Sequence, residues 1–160
     1  YGKILQTNTT LRSLALTGNH LRSGDAKDIA FGLANNTNLI SLNLWNNYIG
    51  DDGATEISNA LLSNKTLKNL RLGSNSIGNT GAKAFGNALL ENTSLKYIGL
   101  GSNKISDVAV LAHALNTNPT LENLCLGDNE VEDTGAVAIG KALCENGECA
   151  LKDLDLNWNR

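Results

Sequence analysis

A nine-residue pattern, L-x-x-L-x-L-x-x-N, recurs along the chain and limits its fold more than any other feature. One copy runs from Leu67 to Asn75. The first leucine of the pattern falls at Leu11, Leu39, Leu67, Leu95, Leu121 and Leu151, and the asparagine at Asn19, Asn47, Asn75, Asn103, Asn129 and Asn159. Because successive copies start 28, 28, 28, 26 and 30 residues apart, the sequence predicts a repeat architecture in which each unit packs on its neighbours.

Each unit is predicted to hold one strand and one helix. Leu70 and Leu72 alternate with polar residues, and a period of two indicates a strand with one buried face. The second half of each unit instead spaces apolar residues four apart, as on one face of a helix. These pairs are Ile57 and Leu61, Phe85 and Leu89, Leu111 and Leu115, and Ile139 and Leu143. An alanine precedes the second member of each pair, where a larger side chain would hold the helix away from the strand.

Glycines and asparagines are predicted to mark the helix ends. The glycines expected to open helices are Gly53, Gly81 and Gly135. The asparagines expected to close them are Asn64, Asn92, Asn118 and Asn146, since asparagine tolerates the backbone conformation that ends many helices.

Stacked strand–helix units give a curved solenoid. Strands pack about 4.8 Å apart, whereas helices are about 10 Å across with their side chains. This difference predicts an α/β horseshoe segment with a parallel sheet on its concave face and helices on its convex face. Residues 1–160 would form a single array with repeats starting near residues 11, 39, 67, 95, 121 and 151. Since neither end has a polar capping unit, we expect this array to be a fragment of a longer one.

The repeated asparagine has a predicted structural role of its own. The chain turns sharply after each strand and would leave backbone N–H and C=O groups inside the coil. An amide side chain offers both a donor and an acceptor to such groups. The sequence therefore predicts a ladder of asparagine side chains that runs through the stacked turns.

Composition excludes several classes of function. The 160 residues carry a formal net charge of -3 and no basic run, which argues against nucleic acid or an anionic membrane as the partner. No apolar run approaches the roughly 18 residues of a membrane span. No phosphate-binding glycine motif, metal-ligand cluster or catalytic triad pattern is present, so we predict no cofactor, no metal and no enzymatic activity.

The three cysteines indicate a reducing environment and a cytoplasmic location. An odd number does not form an even disulfide framework. Cys144 occupies the helix position that Leu62 and Leu90 hold in other units, so it is predicted to be buried. Cys144 and Cys149 are close enough in sequence to form a bridge if oxidised.

The full unit, L-x-x-L-x-L-x-x-N-x-I-G-x-x-G-A-x-x-I/F-x-x-A-L-x-x-N, resembles the 28-residue, ribonuclease-inhibitor-like class of leucine-rich repeats. Residues 39–94 fit it best, for example IGNTGA at 77–82 and ALLENT at 88–93. The class includes ribonuclease inhibitor, the sensor ends of NOD-like receptors and the Ran GTPase-activating protein. The N-T-x-L link between helix and strand is most similar to NOD-like receptor arrays. The resemblance implies a cytoplasmic recognition module.

Two units depart from the common length. The fourth lacks the Gly-Ala opening at residues 105–108 and is two residues short, so its helix is predicted to start abruptly. The fifth is two residues long through residues 146–150. We interpret both changes as loop drift, because loops absorb such changes readily.

The residues that alternate with the strand leucines are free to serve a partner, because packing does not fix them. Among these and the turn residues beside them, large aromatic, arginine and acidic side chains form the predicted contact residues. They are Trp45, Arg71 and Tyr97 toward one end, and Asp128, Asp153, Asp155 and Trp158 toward the other. Tryptophan, tyrosine and arginine often dominate binding energy at interfaces. This pattern predicts a protein partner with apolar and basic features.

Three functions are consistent with these predictions. The first is a non-catalytic protein-interaction scaffold, such as the sensing part of a NOD-like receptor type protein, contacting neighbouring repeat units or domains of its parent chain. The second is a regulator of GTP hydrolysis similar to the Ran GTPase-activating protein, although none of that protein's functional residues matches a position here. The third is an inhibitor of a basic enzyme, of the ribonuclease inhibitor type.

Overall fold

The computed structural model describes residues 1–145 and 149–160, which form six helices and six strands in strict alternation. The helices are α1 Gly2–Thr7, α2 Ser23–Asn35, α3 Gly50–Ser63, α4 Asn79–Glu91, α5 Ala109–Thr117 and α6 Asp133–Glu145. The strands are β1 Ser13–Ala15, β2 Ser41–Asn43, β3 Asn69–Arg71, β4 Tyr97–Gly99, β5 Asn123–Cys125 and β6 Asp153–Asp155.

The strands form one parallel sheet in the order β1-β2-β3-β4-β5-β6. Equivalent repeat positions pair across it, so that Leu42 lies beside Leu70 and Leu70 beside Ile98. Each helix packs on the helices that precede and follow it. The predicted solenoid is therefore confirmed, with the sheet on the concave face and the helices on the convex face. That the array is a fragment of a longer one stays a prediction.

The core lies between the sheet and the helices, where the repeat leucines meet the helix stripes. Leu67, Leu70 and Leu72 are fully buried, and so are Ile57 and Phe85 on the helix side. The alanines that precede the last helical leucines are also buried. Burial of these aliphatic side chains is the main stabilising contribution, at about 25 cal/mol per Å² of apolar surface.

The predicted asparagine ladder is confirmed in the turns after the strands. The Asn75 amide nitrogen donates to the carbonyl oxygens of Leu44, Leu72 and Gly73 at 2.9, 3.0 and 3.0 Å. The backbone N–H of Asn75 in turn donates to Oδ1 of Asn103 at 3.0 Å. The same side-chain pattern recurs at Asn47, Asn103, Asn129 and Asn159. Each asparagine thus joins its own turn to the preceding unit.

A second asparagine ladder lies at the helix ends, where the predicted mechanism was wrong. Asn64 has φ -73° and ψ 123°, so it does not close its helix in the left-handed conformation. Its Oδ1 instead accepts from the N–H of Leu67 at 2.8 Å, and its Nδ2 donates to the carbonyl of Leu33 at 2.8 Å. Asn36, Asn92 and Asn118 do the same, whereas Asn146 lies outside the described residues. These side chains link each helix end to the previous unit.

The helix openings also differ in detail from the prediction. The helices start two or three residues before the glycines, at Gly50, Asn79 and Asp133. A Cβ on Gly53 would lie 2.8 Å from the Cβ of Ala26 in the preceding unit. The glycine is therefore needed for close packing between units rather than for starting the helix.

Asp51 supplies a helix cap that crosses from one unit to the next. Its Oδ1 accepts hydrogen bonds from the backbone N–H groups of Gly78 and Gly81 at 2.7 and 2.8 Å, at the start of α4. The Oδ1 of Asn79 likewise accepts from the N–H groups of Ser106 and Asp107, just before α5 in the following unit, at 2.8 and 2.9 Å. Unpaired N–H groups at a helix start are thus satisfied by the neighbouring unit.

The shortened fourth unit changes its helix and leaves its strand unaffected. The helix α5 has 9 residues, against 13 in α4 and 14 in α3, and it begins only at Ala109. This confirms the predicted abrupt start. Strand β4 still pairs with β5 in the common register, Tyr97 beside Asn123 and Gly99 beside Cys125. Most of the extension in the fifth unit lies outside the described residues.

The predicted burial of Cys144 is wrong. Its thiol is exposed, and Cys144 and Cys149 are both free. The equivalent side chains of Leu62 and Leu90 are themselves 45% and 38% exposed. An apolar residue recurs at this helix position without being part of the core.

Candidate functional site

Six of the seven predicted contact residues line one pocket of about 220 Å³ on the concave face. The six are Trp45, Arg71, Tyr97, Asp128, Asp155 and Trp158. Asp153 lies outside the pocket at the start of β6, is exposed, and accepts a hydrogen bond from Nδ2 of Asn123 at 3.3 Å. The fold therefore brings together the aromatic and acidic ends that are separated in the sequence. That these residues contact a partner stays a prediction.

The floor of the pocket is made by four glycines, Gly73, Gly99, Gly101 and Gly127. A Cβ on Gly73 would lie 3.0 Å from the carbonyl oxygen of Gly101, and one on Gly101 would lie 3.1 Å from that of Gly127. Any larger residue at these positions would crowd the backbone and fill the pocket. The repeat position of Gly73, Gly101 and Gly127 carries Thr17, Trp45 and Asn157 in other units, so the run of glycines makes the depression.

Aromatic rings form the walls. The Trp45 ring packs over Gly73, with its Cε3 atom 3.4 Å from the position of a Cβ there. The guanidinium carbon of Arg71 lies 5.5 Å from the centre of the Tyr97 ring, within range of a cation–π interaction. Trp158 is 87% exposed at the acidic end and has φ 60°, a backbone conformation that is rare for a bulky residue. Large apolar surface is thus presented to solvent around the pocket.

Asp155 is held in a fixed orientation by three donors. The Cys125 thiol donates to its Oδ2 at 3.2 Å, and the backbone N–H and Nδ2 of Asn157 donate to its Oδ1 at 3.0 and 2.9 Å. The backbone hydrogen bond from Asn157 is the largest cause that lowers the pKa of Asp155 below its ordinary value. Burial, with a smaller contribution from the nearby carboxylate, raises the pKa of the Cys125 thiol. The aspartate is therefore anionic and the cysteine protonated near neutral pH.

Tyr97 is also protonated near neutral pH. Burial is the largest cause that raises its pKa, and the Arg71 guanidinium partly opposes the shift. The pocket consequently offers one cation, two carboxylates and a neutral phenol. Among the described residues, no ion pair neutralises Arg71, Asp128 or Asp155.

Sequence reasoning missed the glycine floor and the hydrogen bond from the Cys125 thiol to Asp155. Gly73, Gly101 and Gly127 were interpretable only as repeat positions. The available signal was that three consecutive units carry glycine where neighbouring units carry Trp45 or Asn157.

A scan against protein-family models matches this chain to the family described as Leucine Rich repeat. The matched segments are residues 7–30, 35–58, 63–86, 91–112 and 117–140. They cover more than half of the chain, and each contains one strand and the first part of the helix that follows it. This chain belongs to the leucine-rich repeat family.

Solved structures extend the likeness of this leucine-rich repeat chain to its whole fold. One is entitled leiomodin-1 actin-binding site 2, with 21% sequence identity, a TM-score of 0.75, and coverage of 90% of this chain and 88% of that chain. Another is the C-terminal domain of Caenorhabditis elegans tropomodulin, with 14% identity, a TM-score of 0.75, and coverage of 89% and 88%. At these identities the likeness concerns the fold alone. No curated protein matches the chain.

Two further features are absent from the described residues of this leucine-rich repeat chain. Within residues 1–145 and 149–160, no group of three His, Cys, Asp or Glu side chains could hold a metal ion. No helix in the described part of the chain has both the length and the apolar character to cross a membrane.

A charged row beside the strand starts gives a pH-dependent contribution to stability. Glu122 accepts from Lys96 at 2.7 Å and from Lys152 at 2.9 Å. These hydrogen bonds, the one from Lys96 first, lower the pKa of Glu122 from 4.5 to about 2. Because the folded pKa lies below the unfolded one, the contribution is complete above pH 4.5 and is lost as the pH falls toward 2.

We expect Glu122→Gln to unfold more easily than the parent chain at pH 7, with a difference that shrinks as the pH falls from 4.5 toward 2. Urea denaturation of both proteins across this range measures it. Raising the salt to about 1 M at pH 7 should also shrink the difference, because the Debye length falls to about 3 Å. A difference independent of pH would contradict the assigned ion pairs.

Proposed function

We propose that this leucine-rich repeat chain binds a protein partner through its concave face, with the six pocket residues at the centre of the contact. Leucine-rich repeats are protein-interaction scaffolds, and this chain shares their architecture. The observation that carries the proposal is the pocket itself, where Trp45, Tyr97 and Trp158 surround a glycine floor with charges at both ends. Exposed aromatic residues beside a well-formed depression are typical of interface hot spots.

The narrower proposal is a cytoplasmic recognition module of the ribonuclease-inhibitor-like class, in the sensing part of a NOD-like receptor type protein. The N-T-x-L links and the 28-residue spacing support it. The alternatives are a regulator of GTP hydrolysis and an enzyme inhibitor. GTP turnover by candidate small GTPases, measured with and without this chain, separates the first alternative from the others. A nucleotide-binding domain in the same reading frame would favour the receptor.

Actin is a second candidate partner. The supporting observation is the leiomodin-1 structure, whose title names an actin-binding site and which superposes on 90% of this chain. Co-sedimentation with filamentous actin and cross-linking to monomeric actin test it directly. Absence of both signals would remove actin and leave the concave-face proposal intact.

The concave-face proposal is tested by comparing two triple variants. In the first, Trp45, Arg71 and Tyr97 are all changed to alanine. In the matched control, Phe31, Lys83 and Leu90 are changed to alanine, which removes an aromatic, a cationic and an apolar side chain from exposed positions on the helices. Proteins captured from source lysate by the parent chain are quantified by mass spectrometry.

We expect the concave variant to lose its specific partners and the helical control to retain them. Hot-spot side chains contribute at least about 2 kcal/mol each, so affinity should fall by more than about a hundredfold. The proposal is wrong if the concave variant keeps the same partners as the parent chain. Circular dichroism of both variants verifies that the fold is intact.

A further inference from the structure

The two ends of the pocket carry opposite charges on a single row of the sheet. Arg71 pairs with Gly99, Gly99 with Cys125, and Cys125 with Asp155 in successive strands. The two middle residues are small, and the Tyr97 ring occupies the space over Gly99, with its hydroxyl oxygen 2.9 Å from where a Cβ there would be. In the described residues the Arg71 guanidinium makes only its contact with Tyr97, and all its donors are available to an anion.

The charged groups lean toward each other along this row. The backbones of Arg71 and Asp155 are three strand spacings apart, about 14 Å. The guanidinium, however, lies against Tyr97 of the next strand, and the carboxylate reaches back to the Cys125 thiol at 3.2 Å. The two charges are therefore separated by about one to two strand spacings, roughly 5–10 Å. This distance is too long for an ion pair within the chain and suits a ligand that bridges both ends.

We propose, as a refinement that rests on the concave-face function above, that the pocket binds an extended segment of the protein partner in which an acidic and a basic residue are two positions apart. Side chains at i and i+2 of an extended chain point the same way and are about 6.6 Å apart. The acidic side chain pairs with Arg71, as a guanidinium binds a carboxylate with two parallel hydrogen bonds. The basic side chain lies between Asp155 and Asp128.

The walls fit such a segment. Gly73 and Gly99 are buried beneath the Trp45 and Tyr97 rings, whose nearest atoms lie 3.4 and 2.9 Å from where a Cβ would be, so the bound segment lies over these rings. The Trp45 and Tyr97 rings cover the aliphatic parts of the bound side chains. Trp158 lies at the acidic end of the pocket, where its ring face attracts the basic side chain of the segment. A purely cationic ligand would be repelled by Arg71. A ligand with one acidic and one basic side chain pairs with Arg71 at one end and with the aspartates at the other.

The test uses defined peptides and the intrinsic fluorescence of the chain. Only two tryptophans are present, Trp45 and Trp158, and both line the pocket, so their emission reports on it. The probe is acetyl-Leu-Glu-Leu-Lys-Leu-amide, whose blocked ends leave only side-chain charges. Its control, acetyl-Leu-Leu-Glu-Lys-Leu-amide, has the same composition but places the charges on opposite faces of an extended chain. We expect saturable binding of the probe and about tenfold weaker binding of the control, equivalent to one lost charged hydrogen bond.

Single variants assign each charge. Arg71→Gln should weaken the probe about tenfold but leave a peptide with glutamine in place of glutamate nearly unaffected. Asp155→Asn should likewise weaken binding of the probe about tenfold, but leave nearly unaffected the binding of a peptide with glutamine in place of lysine. Arg71→Lys should restore part of the affinity, because it keeps the charge and loses the planar fork. Circular dichroism of each variant separates lost folding from lost binding.

The proposal is overturned if the two peptides bind equally, if neither gives a saturable change at its solubility limit, or if Arg71→Gln weakens the glutamine peptide as much as the probe. These outcomes leave the concave-face function standing as long as the triple variant of Trp45, Arg71 and Tyr97 still loses its captured partners. Failure of that capture experiment is recognised separately, by retention of partners in the triple variant.

Discussion

Replacing Phe85 by alanine is expected to lower the free energy of unfolding by about 3–5 kcal/mol, the typical cost of removing a buried aromatic ring. Phe85 is fully buried at the centre of α4, in the stripe that faces the sheet. Both neighbouring helices pack on α4, so the vacated volume is enclosed from several sides and cannot readily collapse. Urea denaturation followed by circular dichroism measures the loss.

The chain contains its own control for this prediction. It has only one other phenylalanine, Phe31, which is 60% exposed on α2. Phe31→Ala should change the free energy of unfolding by within about 0.5 kcal/mol, as surface substitutions usually do. Phe85→Ile, which introduces the residue found at the same repeat position in α3, should cost less than Phe85→Ala because it leaves a smaller cavity. A loss below about 1 kcal/mol for Phe85→Ala would mean that this position is not part of a packed core.

Asn75→Ala is expected to cost about 1–3 kcal/mol, because it strands buried backbone groups. Asn75 is fully buried and donates to three carbonyl oxygens. Its Oδ1 also accepts from the N–H of Ile49 at 3.4 Å. Alanine removes the donor and the acceptor together. The denaturant midpoint of the variant measures the effect.

The matched control is Asn59→Ala, which removes an exposed amide from α3. Alanine favours helices, so this variant should be neutral or slightly more stable than the parent. Asn75→Asp should be worse than Asn75→Ala, because a carboxylate would face three carbonyl oxygens in a buried site. If Asn75→Ala and Asn59→Ala gave the same midpoint, the ladder would have no role in stability.

The fold was predictable because the same physical constraint appears six times. Each unit must bury the same leucines, satisfy the same turn and fit its helix over its strand, so the repeat spacing alone indicates which residues pair across neighbouring strands. The asparagines after the strands belong to this set, and their role was predicted from the turn alone. The asparagines at the helix ends were misinterpreted, because a local capping rule was applied to side chains that reach into the preceding unit.

The site was only partly predictable. Trp45, Arg71 and Tyr97 stand out in the sequence because repeat alternation places them on the concave face and their chemistry suits an interface. The pocket depends on the lack of a side chain at Gly73 and Gly101. In the sequence alone, a glycine at these positions looks like an ordinary variation of the repeat.

Burial and long-range pairing were the other limits. Cys144 was assigned to the core by analogy with leucines that are themselves partly exposed. The bridging of Lys96 and Lys152 by Glu122 depends on side chains from three units, and no local pattern contains it. Sequence periodicity identifies which face a residue occupies more reliably than it identifies how much solvent reaches it.

The strand register is unchanged across the shortened fourth unit, so the spacing of side chains on the concave face is set by the number of strands. Two residues are missing between Tyr97 and Asn123, yet these residues still lie side by side, because the helical side absorbs the deletion. The distance from Arg71 to Asp155 is thus counted in whole units and not in residues. Insertions or deletions on the convex side can therefore accumulate without altering the site. Gain or loss of one complete unit between Arg71 and Asp155 would instead change the distance between the two charges by about 4.8 Å and change which partners fit.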